Sequence, residues 1–218
     1  MTAAAPAGAA LLPVLHRLQL RFESSASQLL AQDVSLSRTA HDDSTELTIF
    51  SMSGLTLELS RIGRIYDSLD SRDSDYEHFA RLFDSSGDLG LHPDLDDCLV
   101  TGTHVVIIDR ARIDRARIAS AWRGLGGVGR LLIARMLRWT SVDAAIVATH
   151  PFPIDIPVDE RDDEARVLRE KAAVQRTWES LGFEPFREDL WVMKPRLRGH
   201  EDAVRRLEAT LAPHLSPF

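Results

Sequence analysis

The sequence predicts an α+β domain, and three patterns predict it. Residues 46–50 and 55–59 are short runs rich in Leu, Ile and Thr separated by SMSG, the pattern of a β-hairpin. Residues 99–149 read as a strong β run (VTGTHVVIIDRARI), a glycine-led helix over 126–140 and a buried strand (AAIVAT), and strand, helix, strand implies a crossover between parallel neighbours. After 163 come a helix over 164–181, a closing hairpin (183–186 and 190–193) and a terminal helix, EDAVRRLEATL, punctuated by Gly199 and Pro213.

Taken in order, AAAPAGAALLPVL at the start lacks a basic leader, contains Pro6 and Pro13, and falls short of the ~20 apolar residues of a membrane span. It reads as a loose tail leading into an amphipathic helix, LLPVLHRLQLRF, and the polar sequence over 24–44 reads as a helix end and loops. The expectation is therefore an N-terminal helical extension over 1–44. Residues 61–66 extend the sheet begun by the hairpin. Tyr76, Phe79, Ala80 and Phe83 recur at helical spacing, so this stretch is a helix packing one face on the core. In the helix over 164–181, Leu168, Ala172, Gln175 and Trp178 fall near one face. No low-complexity linker divides the chain, which gives one domain over 45–198 with the helix of 199–218 packed on it.

Composition narrows the function classes. The chain has 218 residues, 44% of them hydrophobic, so it can bury a full core without a metal or disulfide staple. Its single cysteine, Cys98, excludes an internal disulfide, and the expected compartment is the reducing cytoplasm. With 26 Lys and Arg against 33 Asp and Glu, the net charge of −7 argues against nucleic acid as a partner, and no span points to a membrane. The densest basic cluster, Arg110, Arg112, Arg115 and Arg117, is interleaved with Asp109 and Asp114 and reads as a solvated strand face. It forms the tandem DRARI DRARI, whose five-residue offset sends Asp109 and Asp114 to opposite faces unless a bulge intervenes. The histidines show no metal-ligand spacing, and no metal is expected.

The most informative stretch is AWRGLGGVGRLLIARML, in which a strand gives way to glycines and then to an apolar-periodic helix. Glycines permit a tight turn with exposed amides, and the helix N-terminus adds positive dipole, which together make a phosphate cradle. No Gly-Lys-Ser/Thr closes a Walker P-loop here. A dinucleotide fingerprint matches through Gly124, Gly126 and Gly129, but no acid ends the next strand, which closes on Thr149 and His150. The pyrophosphate of an acyl-coenzyme A is the third reading.

IASAWRGLGGVGRLLIARML resembles the coenzyme A motif of the GCN5-related N-acetyltransferase (GNAT) superfamily, Arg/Gln-x-x-Gly-x-Gly/Ala between a bulged strand and a helix. VQRTWESLGFEPF and LWVMKP resemble that family's later helix, its Leu-Gly-Phe corner and its closing hairpin. LSRIGRIYDSLDSRDSDYEHFARLFD and THPFPIDIP resemble a little-characterised bacterial branch of it, extending the likeness to most of the chain. The resemblance implies a mixed, mostly antiparallel sheet flanked by helices. It also implies acetyl-CoA as co-substrate and acetyl transfer to an amine, either a small molecule or a protein amino group. It places the pyrophosphate on Gly126, Gly127, Val128, Gly129 and Arg130, with Gly124 and Arg123 beside them. Amides of the bulged strand near Ile118 and Ala119 would hold the pantetheine.

Two departures stand out. One extra residue lies between Arg123 and Gly129, which the turn absorbs because backbone amides make the contacts. Trp178 stands where the family commonly has a proton-donating tyrosine, and an indole has no useful acidity. Trp178 then packs against pantetheine or core. Candidate bases are Asp109, at the end of VVII, and His150, at the end of the next strand where the family's central strands splay; Asp114 and His104 are further candidates. A salt bridge to arginine is the alternative role for Asp109, and a loop-carbonyl partner for His150. Acidic loops over 94–97 and 155–163 would attract a cationic acceptor. A non-catalytic acyl-CoA-binding or protein-interaction module on the same fold is the rival, a nicotinamide-dependent oxidoreductase the third reading, and self-association is left open.

Overall fold

Buried strand residues set the architecture. VVII at 105–108 and all of AAIVAT at 144–149 are buried, as expected of strands covered on both faces. A computed structural model describes residues 18–23, 31–42, 45–59, 69, 74–83, 90–98, 102–113, 127–156 and 162–211. The strands are β1 (Leu18–Glu23), β2 (Ala31–Asp42), β3 (Thr45–Glu58), β4 (His104–Ile113), β5 (Ala144–Thr149), β6 (Glu184–Pro185) and β7 (Trp191–Met193). They form one mixed seven-stranded sheet in the order β1-β2-β3-β4-β5-β7-β6. Among the described residues β4 and β5 pair in parallel and every other strand pairing is antiparallel. The expected α+β class and the parallel pair joined through a helix are thus both present.

Three helices cover one face: α1 (Val128–Thr140), α2 (Glu164–Glu179) and α3 (Arg198–Leu211). Leu132, Ile133, Met136 and Leu137 of α1, Trp178 of α2 and Val204 and Leu207 of α3 pack there on Phe50, Met52, Val106 and Ile108. Short helical turns cover the other face, at Ser74–Glu77, His78–Leu82 and Pro93–Cys98. Phe79, Leu82, Phe83, Leu91 and Leu95 meet Leu55, Leu57, Val105 and Ile107 on that side. The helix expected around Tyr76 to Phe83 is therefore a short α-turn running into a 3-10 turn, and its apolar residues face the core.

Two expectations are corrected. Leu18–Glu23 and Ala31–Asp42 are paired strands, where a helix and loops were expected. LQLRFE alternates apolar and polar residues with period two, and the leucines preceding it mimic a helical stripe. The Ser- and Thr-rich β2 carries a weak apolar signal and is held by hydrogen bonding to strands on both sides. Nor do 46–50 and 55–59 form a hairpin, because 46–50 and 55–58 lie in the single strand β3. Ser51, Met52, Ser53 and Gly54 continue the alternation through it: Phe50 and Met52 face the helices, Leu55 and Leu57 the opposite side. The 61–66 segment lies outside the described residues.

Gly54 marks a close approach, not a turn. Ser53 pairs with Arg110 and Gly54 with Ile108, so Asp109 is an extra residue on β4, a β-bulge. A Cβ on Gly54 would overlap the carbonyl oxygen of Ile107. The bulge shifts the alternation by one, so that Ala111 and Ile113 join Ile108 on the helix side while Arg110 and Arg112 are exposed. Gly54→Ala is expected to destabilise the chain by about 1–3 kcal/mol, the usual cost of forcing a methyl into packed backbone. Urea unfolding measures it, and an unchanged midpoint would mean the bulge does not depend on that approach.

The Leu-Gly-Phe corner has an equally local cause. Gly182 has φ +90°, and its Cα side abuts the α3 backbone at His200, 3.0 Å from where a Cβ would lie. The buried His200 imidazole donates from Nδ1 to the Leu181 carbonyl at 2.8 Å, tying the corner to α3. Burial, reinforced by Arg138, holds the His200 pKa below its ordinary 6.5 although the carbonyl bond opposes this. Protons then bind the unfolded chain in preference. Stability is complete above about pH 6.5 and falls as pH drops below it, down to the folded-state pKa. His104, its pKa lowered chiefly by burial, acts in the same sense. The slope of unfolding free energy between about pH 6.5 and 5 should accordingly be shallower, though not flat, in His200→Asn than in the wild type. Equal slopes in urea titrations would remove His200 from the account.

Candidate functional site

The last β4–β5 pair is Ile108 with Thr149, beyond which β4 continues alone along β3 to Ile113. A buried hydroxyl seals the point of divergence: Thr149 Oγ1 donates to the Ile108 carbonyl at 3.1 Å. A cleft of about 930 Å³ lies beyond it. The bulged end of β4, the first turn of α1 and residues 150–156 line it, together with one stripe of α2. That stripe, Arg166, Glu170, Ala173, Val174, Thr177 and Trp178, has the spacing of a single helix face. Asp163 orients α2 by capping its start, its carboxylate accepting from the Arg166 amide at 3.0 Å.

Gly127, Val128, Gly129 and Arg130 all line this cleft. Gly127 is the N-cap of α1 with φ 152°, a conformation that L side chains rarely adopt, and the helix start carries no side-chain cap. Its first-turn amides and dipole therefore face the cleft without a carboxylate or hydroxyl of the helix's own N-cap in front of them. Gly129 has a different cause, since a Cβ there would overlap Cδ1 of Ile113. Its bare Cα leaves room for the tip of the Ile113 side chain against α1. Ile118, Ala119, Arg123, Gly124, Gly126 and Asp114 lie outside the described residues. The bulge in the described part of β4 falls at Asp109, earlier than the expected Ile118–Ala119 position.

The charge of the cleft opposes that of the chain. Arg110, Arg112, Arg130, Arg166 and Arg176 line it against Asp109, Asp155 and Glu170, on a chain of net charge −7. Two of the carboxylates are engaged: Asp109 lies 3.4 Å from Arg110 Nε, and Asp155 lies 3.5 Å from Arg112 Nε. A helix start without an N-cap side chain, beside this many guanidinium groups, can hold a polyanion. Neither Arg166 nor Arg176 is marked by the sequence, because which α2 side chains reach the cleft depends on where that helix packs.

Trp178 is buried at the cleft floor and meets Phe183 edge to face, with ring centroids 4.9 Å apart. It is a core residue that also shapes the cleft. His104 lies at the other end of β4, paired with Ala144 at the start of β5, and does not join the site. Asp109 and His150 do line the cleft, both partly buried. His150 carries a neighbourhood that the sequence did not reveal. Its ring centroid is 5.0 Å from that of His78 and 6.0 Å from that of Phe152, and its Nε2 is 4.0 Å from Asp189 Oδ2. Lys171 Nζ grips the other oxygen of Asp189 at 2.7 Å. The hydrogen bond from Lys171 holds the Asp189 pKa below its usual value, against partial burial, and the charges of Lys171, His150 and His78 add to it.

Of the acidic loops expected to attract a cation, Asp94 is bound by Arg187 at 3.0 Å and Asp155 by Arg112. Among the described residues no group of His, Cys, Asp and Glu could hold a metal ion, and no helix is long and apolar enough to cross a membrane. No family profile, no curated protein and no solved structure matches the chain.

Proposed function

We propose that the chain is an acyl-CoA-dependent N-acetyltransferase that passes acetyl from acetyl-CoA to an amine by direct attack. The observation that carries this is an arginine-lined cleft, in an acidic chain, running from the α1 start at Gly127, whose N-cap supplies no side-chain cap, to the divergence of the parallel pair β4 and β5. The mixed, mostly antiparallel sheet and the resemblance to the GNAT superfamily support the same reading. A pyrophosphate fits the amides of Gly127 to Arg130 and the charge of Arg130 and its neighbours. The α2 stripe from Ala173 to Trp178 offers an apolar wall for an extended pantetheine arm.

In this reading the bound thioester supplies an acyl carbon open to attack. The chain's own groups orient the amine and take its proton, and Asp109 and His150 are the bases within the cleft. The departing sulfur draws its proton from another group or water, because Trp178 cannot supply it. That same tryptophan favours the second reading, a non-catalytic acyl-CoA-binding module: it is buried in the core with Phe183 as its partner, as in a residue kept for packing.

Isothermal titration with acetyl-CoA, coenzyme A and NAD tests the reading. Micromolar binding of both coenzyme A species without NAD is expected. Gly127→Glu, which adds bulk and negative charge at the helix start, should weaken it at least about tenfold, or ~1.4 kcal/mol. Failure of both thioester and thiol to bind would overturn the assignment. Binding without thiol release across an amine panel would favour the non-catalytic module.

A further inference from the structure

Four chemically active side chains meet beside the β5 end of the cleft, from four separate segments. His150 follows the last residue of β5, His78 lies on the 3-10 turn of the opposite face, Asp189 on the β6–β7 turn and Lys171 on α2; of the four, His150 lines the cleft itself. Lys171 holds one carboxylate oxygen of Asp189 while the other faces His150 Nε2, so the carboxylate is fixed and not free to swing away. The His78 and Phe152 rings lie close to the imidazole and limit its rotation. At 4.0 Å the carboxylate oxygen is beyond direct hydrogen-bond length, but its negative charge still favours the tautomer protonated on the nearer ring nitrogen, Nε2. Asp109, the other base lining the cleft, is paired with Arg110 on its own strand.

Resting on the transferase reading above, we propose that His150 is the base that deprotonates the acceptor, and that Asp189, anchored by Lys171, is the positioning residue that keeps the His150 proton on Nε2 and the lone pair on Nδ1. The acceptor ammonium gives a proton to Nδ1. The freed amine lone pair forms the bond to the thioester carbonyl carbon, the C–S bond breaks with its electron pair going to sulfur, and the second nitrogen proton passes to that sulfur through water. His150 then releases its proton to solvent, which leaves one amide, one thiol and one proton from the ammonium and the thioester.

Asp189 is about half exposed, so Asp189→Asn should fold normally. Two measurements on the full chain test its role. In 15N-imidazole spectra of the protein without ligand, His150 should be chiefly the Nε2–H tautomer, and Asp189→Asn should shift the balance towards Nδ1–H. A His150 already in the Nδ1–H form, or a tautomer balance unmoved by the substitution, overturns the proposal. The second measurement is acetyl-CoA-dependent thiol release with benzylamine, spermidine and a lysine-containing peptide. Asp189→Asn is expected to lower kcat about tenfold or more, within the range of lost acid–base assistance. The KM for acetyl-CoA should change less than about twofold, because no binding group is touched. The acid limb of the kcat profile should move to lower pH, because the imidazolium loses its counter-charge. Asp189→Glu should recover part of the rate. Turnover with an unchanged pH profile in Asp189→Asn overturns this proposal alone. Acetyl-CoA binding with no amine turned over overturns the transferase reading and this proposal with it.

Discussion

The site depends on one backbone contact, the approach of the Ile107 carbonyl to the bare Cα of Gly54, which accommodates the extra residue Asp109 on β4. A regular strand would keep alternating and send Arg110 and Arg112 into the helix layer and Ala111 and Ile113 out of it. With the bulge in place, Ala111 and Ile113 seat against α1, and the arginines are free to pair at the rim. Ile113 in turn fills the space that the missing side chain of Gly129 leaves, so the helix start and the bulge share one packing problem.

Divergence of β4 and β5 follows from the same geometry. Parallel pairing cannot continue past the bulge in register, and an unpaired carbonyl at Ile108 would be costly in a buried position. The Thr149 hydroxyl satisfies it, which lets the ladder end inside the protein without an orphaned acceptor. Beyond this point the cleft is lined by the bulged end of β4, still paired with β3, and by α1, α2 and residues 150–156 outside the sheet. Its arginines outnumber its carboxylates, on a chain of net negative charge, and leave a field that favours an anion at the helix start.

Sequence patterns revealed the elements with a single dominant period: β5, α1, α2 and α3 lie within a few residues of their expected bounds. Patterns failed where two periods coexist. The leucines of the N-terminal segment satisfy a helical stripe and a strand at once, and pairing with β2 decides for the strand. SMSG carries turn residues inside a strand because Gly54 is needed for a close approach, a requirement set by a strand some fifty residues away. In the site, Gly127, Arg130 and His150 were legible because each sits next to an element boundary. Asp189, Lys171 and His78 were not, since an acid in a hairpin turn, a lysine on a helix and a histidine in a short turn are each common on solvated surfaces. Only the closing hairpin and the packing of α2 bring them beside β5.

That assembly has an energetic consequence. The ion pair of Lys171 with Asp189 is partly exposed, where such pairs contribute little to folding. Its value is in orientation: a lysine that costs side-chain entropy to immobilise holds a carboxylate whose second oxygen is turned to an imidazole at the mouth of the cleft. Thr149 works in the opposite proportion, since its buried bond stabilises the sheet and, by anchoring the end of β5, also sets where the adjacent His150 begins. Stability therefore resides in the residues just inside the divergence, and chemical adaptability in those just outside it. Such a division lets the turn carrying Asp189 vary without unsettling the strand pair that positions the cleft.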